Sequence, residues 1–225
     1  MKTTTGILLF SFLAAASAQA VAPATPPCCP APESKPACCA GPKPATAATA
    51  AACCEELKSA APFTGQSLYL LDAKWTDDAG RTVTLGSLRG RPVILALFFA
   101  TCEYACPVLV SDIQRLRKTL PESLRSQVQV VLVSFDVARD TPAALAAFRA
   151  RQGLDAGWTL LRGEAVPVQD LAMLLGVKYK QDARGQFSHS NVFTVLNAEG
   201  EIAHQHAGLM GDVSEAAKVV AAVIK

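Results

Sequence analysis

The chain has 225 residues, enough for one or two domains, and its charges nearly cancel at a net +2. Both signs are spread along the sequence with no basic stripe, which argues against a nucleic-acid partner. The eight cysteines are the compositional outlier, and their placement carries most of the functional argument.

Residues 1–20 hold Lys2, an apolar run from Gly6 to Ala16, and then Ala18-Gln19-Ala20, a small-x-small cleavage pattern. This is the layout of a secretory signal. The run is shorter than the roughly 20 residues that cross a bilayer; an uncleaved anchor is the alternative use of the same segment. No Cys directly follows the run, which argues against a lipid-anchor cleavage site. The expected location is the periplasm or another exported compartment, where disulfides persist, with anchoring to the outer face of the inner membrane as the variant. Residues 21–62 are rich in Ala and Pro, show no amphipathic period and read as a disordered tether, with 50–61 compatible with a short helix. Six cysteines fall here as Cys28-Cys29, Cys38-Cys39 and Cys53-Cys54. Adjacent Cα atoms stand about 3.8 Å apart, less than the usual disulfide span, so bridges between pairs or between chains are easier than bridges within a pair.

A folded domain is expected over 63–225. Leu68 to Leu71 and Arg81 to Leu85 flank the turn signal Thr76 to Gly80 and read as a β-hairpin. Val93 to Ala100 is a continuous apolar run, the pattern of a buried strand. A helix follows from Pro107 to Leu120, with Leu109, Ile113, Leu116 and Leu120 on one face and Pro107 in the tolerated first turn. Val128 to Phe135 is a second buried strand, expected parallel to the first. Asp140-Thr141-Pro142 opens a helix that runs to Arg151, with Asp or Thr as its cap. Trp158 to Leu161 reads as a short strand, Val166 to Leu175 as a helix, Asn191 to Leu196 and Glu201 to His206 as a hairpin, and Asp212 to Ile224 as a terminal helix. This order of elements is that of an α/β thioredoxin-like sandwich with an N-terminal hairpin added.

The chemistry concentrates at Thr101-Cys102-Glu103-Tyr104-Ala105-Cys106-Pro107. Two thiols four residues apart at a strand-to-helix turn can face the same way, and a thiol at a helix N-terminus has a lowered pKa. Thiolates serve either redox exchange or soft-metal binding.

Three segments in order resemble the Sco/SenC family of copper proteins. They are Phe98 to Pro107, with its Cys-x-x-x-Cys-Pro pattern; Ser134-Phe135-Asp136 with Arg139-Asp140-Thr141-Pro142; and Phe187-Ser188-His189-Ser190 running into Asn191 to Leu196. The resemblance covers the chain from about Phe63 onward. It implies copper, as Cu(I), Cu(II) or both, held by Cys102, Cys106 and His189. It also implies a role in building the dinuclear copper centre of cytochrome c oxidase, as copper donor, as thiol reductant of the target's cysteines, or both. The implied partner is the copper-site subunit of that oxidase or another copper chaperone. The chain departs from the family pattern at Ser188, where many members carry Asp, and at Val137, where many carry Pro; neither is an implied ligand. Chemistry alone points the same way, since two thiolates suit Cu(I) and an added imidazole suits Cu(II). Asp136, near the end of the second strand where open α/β sheets place their sites, is expected to support the site.

A thiol–disulfide oxidoreductase is the competing reading, with Cys102 as nucleophile and Cys106 as resolving thiol. Thioredoxin-type enzymes set a cis-proline opposite the dithiol, just before the third core strand. No proline follows Pro167 here, cis bonds are almost confined to proline, and His189 takes the comparable place. A thiol peroxidase shares the fold class but lacks its clear Thr/Ser-x-x-Cys setting. His204 and His206 alternate along a strand and share a face; the ordinary reading is two solvated residues, the sharper one a metal pair. Lys218 and Asp212 need no role beyond helix surface and cap. The six tail cysteines are either compositional drift, a source of crosslinks, or a Cu(I)-collecting arm.

Overall fold

The computed structural model describes residues 61–183 and 185–224, within a unit spanning Lys58–Lys225. The signal segment, the tether with its six cysteines up to residue 60, and the expected short helix at 50–61 apart from its last residue lie outside the described residues.

The two long apolar runs form the centre of the sheet. β3 (Val93–Phe98) is buried at every position, and β4 (Gln129–Ser134) at every position but its first. They pair in parallel from Val93↔Gln129 to Phe98↔Ser134. A strand apolar on both faces needs cover on both faces, and helices supply it. β1 (Trp75–Asp77), β2 (Thr82–Val83), β5 (Trp158–Arg162), β8 (Val192–Leu196) and β9 (Ile202–Ala207) complete one sheet in the order β2-β1-β5-β4-β3-β8-β9. β5 runs parallel to β4, whereas β8 and β9 run antiparallel to their neighbours.

α1 (Ala105–Thr119) and then the short α2 (Glu122–Arg125) connect β3 to β4, and α3 (Pro142–Gln152) connects β4 to β5. Both crossovers step the same way across the sheet, so right-handed connections put both helices on one face. Gln114 Nε2 accordingly donates to Gln152 O at 3.3 Å. α5 (Ser214–Val223) packs beside α1. The return from β5 to β8 passes through α4 (Ala165–Leu174), at whose end Leu175 O accepts from the Gln205 amide of β9 at 2.9 Å. Local signals set the boundaries of α3: Thr141 Oγ1 accepts from Ala144 N at 3.2 Å, Pro142 takes the first position, and Gly153 ends the helix in the left-handed region at φ 58°.

The mixed α/β fold agrees with the sequence reading, with two differences in detail. Leu68–Leu70 is a 3₁₀ turn capped by Ser67, not a strand. Leu68 and Tyr69 are consecutive and both buried; a strand would point them to opposite faces, whereas a curled turn buries both. The hairpin therefore lies later, with β1 and β2 around a turn in which Asp77 Oδ1 accepts from the N–H groups of Ala79 and Arg81. It also extends the main sheet through β5. The second difference is an unforeseen two-stranded sheet, β6 (Tyr179–Gln181) against β7 (Phe187–His189), antiparallel with Tyr179 opposite His189. His189 thus ends a small hairpin and does not sit in a loop.

Candidate metal centre

β3 ends at Phe98, and the chain turns through Phe99 to Tyr104 into α1. Tyr104 occupies the cap position of α1 without a side-chain cap bond. The Cys102 sulfur supplies the missing acceptor, taking the Cys106 N–H at 3.2 Å. This places Cys102 outside the helix and half-buried, and Cys106 in the first turn and fully buried.

That asymmetry divides the chemistry of the pair. Cys102 is drawn down to about 4, chiefly because the Cys106 thiol donates to its sulfur, with His189 and the N–H groups of Cys106 and Tyr104 adding to the effect against partial burial. Cys106 is pushed far up, first by holding its proton against Cys102, then by burial and by the charge of the neighbouring thiolate. The two sulfurs share one proton at neutral pH and titrate as a unit, as an outer thiolate and an inner thiol.

His189 approaches from β7. Its Nε2 stands 3.9 Å from the Cys106 sulfur, and its Nδ1 lies 3.2 Å from Ser190 O. A carbonyl only accepts, so the Nδ1 side of the ring donates to Ser190 O, which turns Nε2 toward the thiols. The ring is wedged between Phe99 and Phe135, with centroids at 5.9 and 5.2 Å. Tyr179 stacks on Phe135 at 4.9 Å, and Phe187 closes the collar against Phe99 and Phe135.

The sulfurs of Cys102 and Cys106 and a ring nitrogen of His189 lie within 4.8 Å of one another, and among the described residues this is the one group of three or more such donors. Donors sharing one ion at about 2.0–2.3 Å stand some 3.5–4 Å apart, so the set fits a small soft cation with little movement. A cavity of about 380 Å³ opens beside Cys102, lined by Phe99, Glu103, Tyr104, Gln186 and Phe187 among others. A larger cavity, about 600 Å³, lies between Pro92, Asn197 and Ile224 at the other end of β3 and brings no donor cluster together among the described residues.

The family model described as SCO1/SenC matches residues 68–225. The chain belongs to the SCO1/SenC family. A Stutzerimonas stutzeri protein whose name describes it as copper-binding is 32% identical to this SCO1/SenC chain over 120 residues, 52% of the chain and 58% of that relative. The match therefore spans little more than half the length of that relative. Bradyrhizobium japonicum ScoI, solved with copper bound, shares the fold at TM-score 0.56 and 21% identity, covering 68% of this chain and 97% of that one. BsSco, described with a disulfide switch and as a member of the Sco family of cytochrome c oxidase assembly proteins, gives TM-score 0.58 at 22% identity, over 68% and 92%.

Other residues singled out from the sequence fall away from the centre. His206 stacks on Phe193 at 4.8 Å, and neither it nor His204 joins a donor cluster among the described residues. Both are half-buried, not fully solvated. Asp212 accepts from Ser214 N at 2.9 Å, and Lys218 pairs with Glu215 at 3.3 Å. Asp136 is buried and ion-paired with Arg139. Sequence reasoning treated Asp140 only as a helix cap. It is 1% exposed, and its Oδ2 accepts from Ala100 N at 2.8 Å and from the Ser134 hydroxyl at 2.5 Å. Arg151 grips the carbonyl of the same Ala100 at 2.8 Å, so both polar groups of the residue that leads into the cysteine loop are fixed. A buried Ser four residues past the start of an apolar run and an Asp before Thr-Pro were the available signals.

Proposed function

We propose that this chain binds copper at Cys102, Cys106 and His189 and serves assembly of the dinuclear copper centre of cytochrome c oxidase. The observation that carries the reading is the convergence of two sulfurs and an imidazole nitrogen within 4.8 Å, a donor set soft enough for Cu(I) and mixed enough for Cu(II). The copper-bound relative and the oxidase-assembly description of BsSco support it. Cys102, outermost and already a thiolate, is the first contact for incoming copper. Cys106 gives up its proton as it becomes a ligand, so binding releases a proton. His189 closes the set from the hairpin. The partner is the copper-site subunit of the oxidase or another copper chaperone, and the N-terminal segment directs export or tethers the domain at the membrane surface.

The test is copper binding by the reduced protein, with and without His189→Ala. One copper per chain, with Cu(II) retention collapsing in the variant, supports the proposal; weak binding indifferent to His189 rejects it.

A second reading rests on the same pair. A half-exposed thiolate beside a buried protonated thiol is the arrangement of a nucleophile and its resolving partner. Cys102 would attack a target disulfide, and Cys106 would then release the target as Cys102 and Cys106 join. His189→Ala separates the readings, because dithiol exchange survives it.

A further inference from the structure

The cysteines and the histidine belong to different pieces of the structure. Cys102 and Cys106 sit on the loop and helix that leave the seven-stranded sheet, whereas His189 ends a separate two-stranded sheet. An isolated two-stranded hairpin is at best marginally stable in water. Something must hold it at a fixed distance from the thiols if His189 is to act as a ligand.

A continuous run of hydrogen bonds joins the two pieces. It starts at the Ala100 N–H, two residues before Cys102, which Asp140 Oδ2 accepts at 2.8 Å. The Ser134 hydroxyl donates to the same oxygen, and its own oxygen accepts the Asp136 N–H at 3.0 Å. Asp136 Oδ2 receives Arg139 Nε at 2.5 Å, and Arg139 Nη2 donates onward to Gly185 O at 2.7 Å, in the β6–β7 turn. The guanidinium also lies over the Phe187 ring, 5.7 Å from its centroid and two residues before His189. Asp136 is 2% exposed along its side chain, so the inner half of this run is shielded from water.

We propose that Arg139 is the positioning residue that sets where His189 stands relative to Cys102 and Cys106. One planar fork spends an edge on Asp136, an arm on the Gly185 carbonyl and a face on Phe187. Only an arginine combines these, because lysine offers a single point of charge without the fork or the flat face. The residue touches none of the three donors and acts through the hairpin. This inference rests on the copper reading for its consequence, but the anchoring itself does not.

The experiment uses the reduced full chain with Arg139→Ala, Arg139→Lys, His189→Ala and the double variant Arg139→Ala/His189→Ala. In the metal-free protein, amide exchange in Tyr179–Gln181 and Phe187–His189 is expected to accelerate at least tenfold in Arg139→Ala while β3 and β4 keep wild-type protection. Anaerobic Cu(II) titration, read by the thiolate-to-copper absorption, is expected to weaken about 10–100-fold, the usual effect of removing a residue that orients a ligand. Arg139→Lys should follow Arg139→Ala. The double variant should bind no more weakly than His189→Ala alone, because Arg139 has nothing left to position. Additive losses, a lysine variant equal to wild type, or unchanged exchange in the hairpin would each overturn the inference. Wild-type protein that takes up neither Cu(I) nor Cu(II) would instead remove the copper reading, and the exchange measurement would still decide the anchoring.

Discussion

Replacing Asp140 tests whether its role is to accept hydrogen bonds or to carry charge. In Asp140→Ala, the buried Ala100 N–H and the Ser134 hydroxyl lose their shared acceptor. Each buried group left without a partner costs about 1–3 kcal/mol, and the emptied volume adds to that. The expected loss is ~3–5 kcal/mol, which at a urea slope of about 2 kcal/mol/M moves the midpoint down by roughly 1.5–2.5 M. Asp140→Asn keeps an oxygen to accept both bonds and removes a charge that burial penalises, so its loss should be less than half as large. The sign of the pH dependence is fixed by the direction of the shift. Burial raises the Asp140 carboxyl above its ordinary value, so its contribution to stability is full at pH values below the ordinary carboxylate range. That contribution is lost as pH rises through the raised value. The gap between wild type and Asp140→Asn should therefore shrink from pH 4 to pH 8. Urea unfolding of the reduced proteins across that range supplies the measurement. An asparagine variant as damaged as the alanine variant at every pH, or a gap that widens with pH, refutes the reasoning.

Three further outcomes are expected. Alkylation of Cys102 in the reduced protein should be fast and nearly flat from pH 8 to pH 6 and halve near pH 4, because its depressed pKa of about 4 keeps it a thiolate until pH falls through that value; a midpoint near 8 would contradict the shared-proton picture. Gly163→Ala should cost ~1–3 kcal/mol and lower the melting temperature by several degrees, since the new Cβ would lie 2.6 Å from the Trp75 ring and that ring is 1% exposed; an unchanged melt would show that the ring can retreat. If the six tail cysteines collect Cu(I), the full chain should bind more Cu(I) than the same chain with Cys28, Cys29, Cys38, Cys39, Cys53 and Cys54 changed to Ser, and equal stoichiometry rejects that role.

Much of the fold could be read from short-range signals because its centre is built from them. Val93 to Phe98 and Val130 to Val133 are apolar without a break, and only strands covered on both sides tolerate that over so few residues. Thr141, Pro142 and Gly153 mark the ends of α3 by local bonding and backbone geometry alone. Leu68 to Leu71 misled for the opposite reason, because a four-residue apolar run does not say whether its buried neighbours face one side or two. The three donor residues were named from sequence through the resemblance, and the structure brings them together. What remained hidden was how they are held. β6 and β7 have three residues each, too few for an alternation to register, and Lys180, Gln181 and Ser188 face solvent. Their pairing is a tertiary fact: it depends on Phe99, Phe135 and Arg139, which lie far away in sequence.

The four-residue spacing of the cysteines takes its meaning from where α1 begins. Within a helix, residues four apart present similar environments, and two equivalent thiols would result. Here the helix starts at Ala105, between them. Cys106 is thereby carried into the core on the first turn, while Cys102 stays outside and caps the turn with its sulfur. One sulfur gains N–H donors and the other loses water, and a single proton settles on the inner one. Either proposed activity, copper binding or disulfide exchange, would start from that state, since each begins at an accessible thiolate and finishes by drawing the proton off its buried neighbour. The two proposed activities would therefore be separated not by the cysteines, which could serve either, but by whether the imidazole on the β6–β7 hairpin is held at its distance of 3.9 Å from the inner sulfur.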